Sequence, residues 1–188
     1  MKLQDRMDAL IGREGGFSND PADRGNWYLG KLEGTRWGIT AAEARGNGYT
    51  GPMQDLPRET AVAIYEARYW REPKFDQLEA ISPALADKLF DIGVNTGPST
   101  GVKFLQRALN VLNQNGKTFA DLTLDGVIGP GTLAALEAWL RLRGVEGHRV
   151  LLGMITAQQS VYYLELAERR PANETFEYGW QLNRALGG

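Results

Sequence analysis

LQDRMDALIGREGGFSNDPADRG, residues 3–25, contains the change of pattern that decides the fold. Leu3, Met7, Leu10 and Ile11 recur at helical spacing, and Gly15-Gly16 stops the repeat, so the first helix closes at Glu14. Beyond it the periodicity disappears. Residues 17–39 are dense in Gly, Asn, Asp and Pro, with Trp27-Tyr28-Leu29 and Thr35-Arg36-Trp37 flanking a glycine-containing stretch; this predicts a short irregular β-hairpin.

From Thr40 onward the chain returns to helices. Thr40-Ala41-Ala42-Glu43 has the capping-box pattern and opens a brief helix ending before Gly46. Pro57 starts a helix to about Trp70, and Ser82-Pro83 starts another that ends around Gly97-Pro98. Leu105, Leu109 and Leu112 mark a helix from about Ser99 to Gln114. Leu133, Leu136 and Leu140 mark one that begins near Gly131 or Thr132 and stops near Gly144. The longest helix is expected over residues 147–170, ended by Pro171, and a last amphipathic segment runs from about Asn173 to Leu186. The predicted fold class is mainly α, with one small β-hairpin after the first helix.

Composition narrows the chemistry. The 188 residues, 43% hydrophobic and 23% charged, suit one compact unit or two small helical lobes. A net charge of −2, with both signs interspersed, offers phosphate no general attraction, so nucleic acid is not an expected partner. With no cysteine and one histidine, disulfides, thiolate metal sites and a cysteine nucleophile are excluded; neither a metal nor a cofactor is expected. His148, in Gly147-His148-Arg149 with no nucleophile motif beside it, is assigned a surface or capping role. Any hydrolytic chemistry then falls to carboxylates.

Splitting a glycosidic bond requires a protonated carboxyl at the leaving oxygen and a second group that activates water or stabilises the oxocarbenium ion. Glu14, at a helix end backed by Gly15-Gly16, and Asp23, in the polar turn Asn19-Asp20-Pro21-Ala22-Asp23, suit those roles. A plainer reading stays open on spacing alone: a solvated Glu at a helix cap, and ordinary Asx-turn aspartates. The same holds for the ring-binding candidates. Trp27, Tyr28 and Trp37 offer faces to pyranose rings or form the hairpin's own mini-core, and Tyr69 lines a cleft or belongs to an aromatic core stripe. Asn95, one turn from Asp91, is a substrate-amide ligand or an intrahelical cap. Asp125-Gly126 and Gly129-Pro130 form a ligand loop or a connector.

Glu14-Gly15-Gly16-Phe17, Asp20-Pro21, Asp23, Gly25 and Thr35 followed by Gly38-Ile39-Thr40 resemble the signature of family 108 glycoside hydrolases. Asp55-Leu56-Pro57 with Ile64-Tyr65 and Tyr69-Trp70 is similar to the family's second block, and Leu89–Gly97 to its third. Phe104–Asn110 and Asp125–Pro130 with Thr132 resemble the predicted peptidoglycan-binding region that accompanies it. The resemblance implies a lysozyme-like fold, a catalytic muramidase region over 1–97, and a helical peptidoglycan-binding region over 98–188. By motif position it assigns the catalytic roles to Glu14, Asp23 and Thr35; Trp27, Tyr69 and Asn95 are substrate-binding candidates on the reading of the residues themselves. Where the family commonly has Gly-Gly and soon a Thr, this chain has Gly25-Asn26 and then Trp27 to Gly34 before Thr35.

The activity so implied is an N-acetylmuramidase of phage endolysin type. The alternatives are a lytic transglycosylase on a similar fold and a non-catalytic wall-binding or secretion-assisting protein. The charged start Met1–Arg6, without a signal-peptide apolar stretch, leads to the expectation of a monomer held in the host cytoplasm. It would then reach peptidoglycan in the periplasm through a holin partner, without stable membrane insertion.

Overall fold

The computed structural model describes residues 3–13 and 16–186 and divides into two compact units, 1–68 and 69–188. The first unit opens with α1 (Leu3–Arg13), which buries Met7, Leu10 and Ile11 at the predicted spacing. Five two-residue strands follow: β1 (Phe17–Ser18), β2 (Trp27–Tyr28), β3 (Lys31–Leu32), β4 (Thr35–Arg36) and β5 (Ile39–Thr40). They form a three-stranded antiparallel sheet, β1-β4-β5, and a separate two-stranded ribbon, β2-β3.

The single irregular hairpin expected from the sequence is therefore two tight hairpins. Each turns on a residue–glycine pair with both φ values positive, Leu29-Gly30 (47° and 78°) and Trp37-Gly38 (55° and 73°). That geometry matches the strand twist, but Asn-Gly or Asp-Gly is its usual sequence mark. Leu and Trp conceal it. Trp37 is held in its uncommon conformation by three contacts: its indole N–H donates to the Leu56 carbonyl at 3.1 Å, its carbonyl accepts the Tyr65 hydroxyl at 2.9 Å, and the Arg36 guanidinium lies 5.1 Å from its ring centroid.

Thr40 caps α2 (Ala41–Gly46) through the reciprocal capping box with Glu43 that the sequence announces. α3 (Arg58–Glu66) follows, with Ala61, Ile64 and Tyr65 on its buried face. The helix then widens into a π-helical turn, Ala67–Arg71, within which the two units divide.

The described residues of the second unit form helices and connecting loops, without strands. α4 (Phe75–Ile81) is an element the periodicity did not reveal, because its two buried apolar residues, Phe75 and Leu78, sit in seven residues flanked by Pro73 and Pro83. Ser82 caps α5 (Pro83–Thr96), and Gly97 separates it from α6 (Pro98–Leu112). The run α7 (Pro130–Arg169) is broken at Gly144 (φ 55°, ψ −141°), where the sequence predicts one helix to stop before the next begins. The indole of Trp139 donates to the Gly147 carbonyl at 3.0 Å, tying the two sides of the break together. α8 (Glu174–Trp180) and a π-helical turn, Gln181–Ala185, complete the unit. Its core is continuous and apolar: Phe75, Leu85, Leu89, Leu105, Leu109, Leu136, Leu151 and Ile155 are essentially inaccessible. The mainly-α class with small β elements holds.

The Asp125-Gly126 loop owes its shape to one buried amide. Gln106 donates to Asp125 Oδ1 at 2.8 Å and to the Val127 carbonyl at 3.1 Å, while its Oε1 accepts the Gly126 N–H at 3.0 Å. The Gln106 amide foremost, and then the Val127 N–H that Asp125 Oδ1 accepts at 2.8 Å, hold the Asp125 carboxyl below its ordinary pKa. The loop is tied down from within.

Candidate active site

Two of the three expected catalytic residues meet at one glycine. Asp20 opens the loop as an Asx turn, its Oδ1 accepting the Ala22 N–H at 2.8 Å. Asp23 then caps a short 3₁₀ turn, Arg24–Asn26, with its Oδ1 accepting the Gly25 N–H at 2.8 Å. The Thr35 hydroxyl donates to the carbonyl of the same Gly25, at 3.4 Å. Asp23 is exposed and its Oδ2 has no partner among the described residues; Thr35 is half-buried. One carboxylate oxygen is thus fixed by the backbone while the other faces solvent. That suits an activator of water.

The register of the sheet accounts for Thr35. Ser18 pairs with Thr35 and Phe17 with Arg36, so the strand that continues from the Glu14-Gly15-Gly16 run lies directly against the strand carrying Thr35. Glu14 itself, with Gly15, lies outside the described residues. Asn26, fully buried, organises the other side: its carbonyl accepts the N–H groups of Glu33 and Gly34, both at 2.9 Å, and its side chain donates to the Asp20 carbonyl at 3.0 Å. Gly25 and Asn26 were not singled out from the sequence as organisers. Their cue is only their position between a turn and a strand.

A cleft of about 370 Å³ opens beside these residues, lined by Phe17, Asn19, Leu32, Glu33, Pro52, Met53 and Gln54. Its size falls within the range of small-ligand sites, roughly 300–1,000 Å³. Phe17 and Leu32 present apolar surface, while the exposed amides of Asn19 and Gln54 have no side-chain hydrogen bond among the described residues. Glu33 is committed to an ion pair with Arg45. Apolar faces with amide groups at the edge are the complement of an N-acetylated pyranose.

Trp27 pairs with Leu32 across the β2-β3 ribbon and is 45% exposed. Its indole N–H donates to the Pro21 carbonyl at 2.9 Å, so the ring is anchored to the Asp20–Asp23 turn with a face left open. Tyr69 and Asn95 belong to the second unit. Tyr69 is half-buried in the π-helical turn, next to Trp70, which is 2% exposed and packs edge-on against Phe75 and Phe90 at 6.1 and 5.8 Å. Asn95 is exposed and donates to the Asp91 carbonyl at 2.6 Å, using its N–H within the helix, while Asp91 Oδ1 accepts from Arg184 at 3.0 Å. His148 is half-buried and stands 2.7 Å from the cap Ser82 Oγ, a contact across 66 residues of sequence.

Comparison with known proteins places these features in a family. Residues 7–97 match the family model described as Glycosyl hydrolase 108, and residues 100–185 match the one described as Predicted Peptidoglycan domain. No curated protein matches the chain. Among solved structures it is similar to one titled "Structure of Brucella abortus SagA", at 24% identity and a TM-score of 0.52, with 98% of each chain covered; this likeness shows a shared fold. No described helix is long and apolar enough to cross a membrane. Residues 7–97 are thus a glycosyl hydrolase 108 region and residues 100–185 a predicted peptidoglycan domain, a pairing that supports a peptidoglycan-acting glycosidase.

Proposed function

We propose that this glycosidase cleaves the β-1,4 bond between N-acetylmuramic acid and N-acetylglucosamine by hydrolysis, with inversion. Glu14 acts as the acid that protonates the leaving oxygen, Asp23 as the base that takes a proton from water, and the Thr35 hydroxyl holds that water in line. The observation that carries the reading is the joint anchoring of Asp23 and Thr35 on Gly25, which leaves Asp23 Oδ2 without a partner among the described residues on an exposed turn. Sugar rings lie in that cleft, with Trp27 at its edge and the Asn19 and Gln54 amides reading acetamido groups. Residues 1–97 form the catalytic region and 98–188 the wall-binding one. Tyr69 and Asn95 are assigned to further substrate contact. The biological role is lysis by an endolysin, monomeric and admitted to the wall by a holin; a chain without cysteine folds independently of the redox compartment, which suits work outside the cytosol.

Exposed Asp23 favours hydrolysis over transglycosylation. In a transglycosylase the substrate's own hydroxyl displaces the leaving group, and a water-activating carboxylate has no task. Asp23→Asn tests this. Asn keeps an oxygen to accept the Gly25 N–H, so the turn stays capped, but it cannot take the proton from water. Turnover on exposed cell walls should fall about 100-fold with the melting temperature unchanged. Full activity in the folded variant would eliminate Asp23 as the base and restore the transglycosylase.

A further inference from the structure

A second groove, of about 260 Å³, lies entirely within the second unit, between α6 and the later part of α7. Phe104, Arg107, Ala157, Gln158, Val161, Tyr162 and Glu165 line it. All seven fall inside the segment that matches the predicted peptidoglycan domain.

Several of these groups are left incomplete. Arg107 is exposed and has no ion pair or hydrogen bond among the described residues, although a guanidinium is built for bidentate recognition of a carboxylate. Gln158 spends its amide N–H groups on the carbonyls of Phe104 and Met154, at 3.0 and 3.2 Å, and its Oε1 remains a buried acceptor without a partner. Among the described residues Glu165 is paired with Arg169 of the same helix, at 2.9 Å, an exposed contact that a ligand ammonium can displace. Phe104 and Tyr162 meet edge to face, 6.0 Å apart, and form an apolar wall.

We propose that this groove binds the peptide stem of peptidoglycan, a short peptide with small methyl side chains, free carboxylates and the amine of a diamino acid. Arg107 takes a carboxylate, Glu165 the ammonium, and the Phe104–Tyr162 wall an alanine methyl. Charges of both signs on one rim match a zwitterionic peptide; a neutral glycan would use neither, and a polyanion would meet Glu165. At about 260 Å³ the groove falls just below the usual ligand-pocket range, so it holds part of the stem and not a whole muropeptide. The assignment rests on the reading that peptidoglycan is the substrate, and it gives the second unit the task of choosing which wall is cut.

The full-length protein would be titrated calorimetrically with the sugar-free tetrapeptide L-alanyl-γ-D-glutamyl-diaminopimelyl-D-alanine and, separately, with the peptide-free glycan chitotetraose. Saturable binding of the tetrapeptide is expected, weakened at least 10-fold in Arg107→Ala, partly retained in Arg107→Lys, and unchanged in Arg149→Ala, an exposed cation outside the groove. Chitotetraose binding should be the same in all four proteins. Arg107 is exposed, so its replacement leaves the core intact, and a circular dichroism melt verifies this. No tetrapeptide binding, or equal loss in Arg107→Ala and Arg149→Ala, overturns the proposal, as does a chitotetraose affinity that falls with Arg107. Peptide binding is measured without catalysis, so loss of this proposal with intact wall cleavage, and absence of wall cleavage with intact peptide binding, are separate results.

Discussion

Glu14→Gln is expected to lower the rate of wall lysis about 1,000-fold, within the range of roughly 10²–10⁴ that a positioned acid contributes. Gln has the size and shape of Glu but cannot deliver a proton to the leaving oxygen, and the leaving alkoxide of a sugar departs slowly without one. Binding should survive: the variant should still sediment with intact sacculi, through the cleft lined by Phe17 and Leu32 and through the second unit. Turbidity loss and pull-down, measured together, check both halves. A variant that lyses walls at the parental rate would remove Glu14 from the reaction, and one that neither lyses nor binds would point to misfolding.

The largest effect on stability is expected at Gly34, the residue before Thr35. Its φ is +85°, and a Cβ there would lie 2.5 Å from Phe17 Cε2 and 2.7 Å from the Ser18 carbonyl oxygen. An alanine meets two costs: the left-handed backbone conformation, about 1–2 kcal/mol, and a clash with backbone that cannot swing aside. Gly34→Ala should therefore destabilise the protein by about 3 kcal/mol. The strain is not confined to stability. Gly34 donates to the Asn26 carbonyl, and Ser18 is the register partner of Thr35, so relieving the clash moves Thr35 relative to Gly25 and Asp23. Urea melts and lysis rates on the residual folded protein should both fall. A melt within about 0.5 kcal/mol of the parent would show that β1 and β4 separate easily and that the register does not hold the site.

The helices were legible wherever a start signal and a long periodic face coincided. Thr40 with Glu43, Ser82 with Pro83, and the glycine at 144 each mark a boundary that the structure keeps, because capping and glycine conformational freedom are local properties. α4 was not legible: seven residues with two buried side chains carry too little periodicity, and Phe75 and Leu78 are buried by the tertiary fold. The β region was legible as turn-rich but not as two hairpins. Leu29 and Trp37 take left-handed conformations that their side chains disfavour, and Trp37 is held there by Leu56, Tyr65 and Arg36, partners 1 to 28 residues away in sequence.

The site divides in the same way. Asp20 and Asp23 looked like turn residues, and they are: both accept backbone N–H groups two residues on. For Asp23, turn chemistry and candidate catalysis are not rivals, since one oxygen does the first and leaves the other for the second. Asn95 uses its N–H inside the helix, the plainer of its two roles, and Trp70 is core. The Asp125-Gly126 loop, open as ligand site or connector, is shaped by Gln106 from inside the fold. The role of Gly25 was hidden because it contributes no side chain; what matters is its N–H and its carbonyl.

Mass spectrometry of the muropeptides released from purified sacculi by the wild-type protein tests the central claim most directly. Hydrolysis between N-acetylmuramic acid and N-acetylglucosamine adds one water per cut, so every new reducing end should be an N-acetylmuramic acid that borohydride converts to the alcohol. Ends that are 1,6-anhydro sugars and resist borohydride, or reducing N-acetylglucosamine ends, would contradict it.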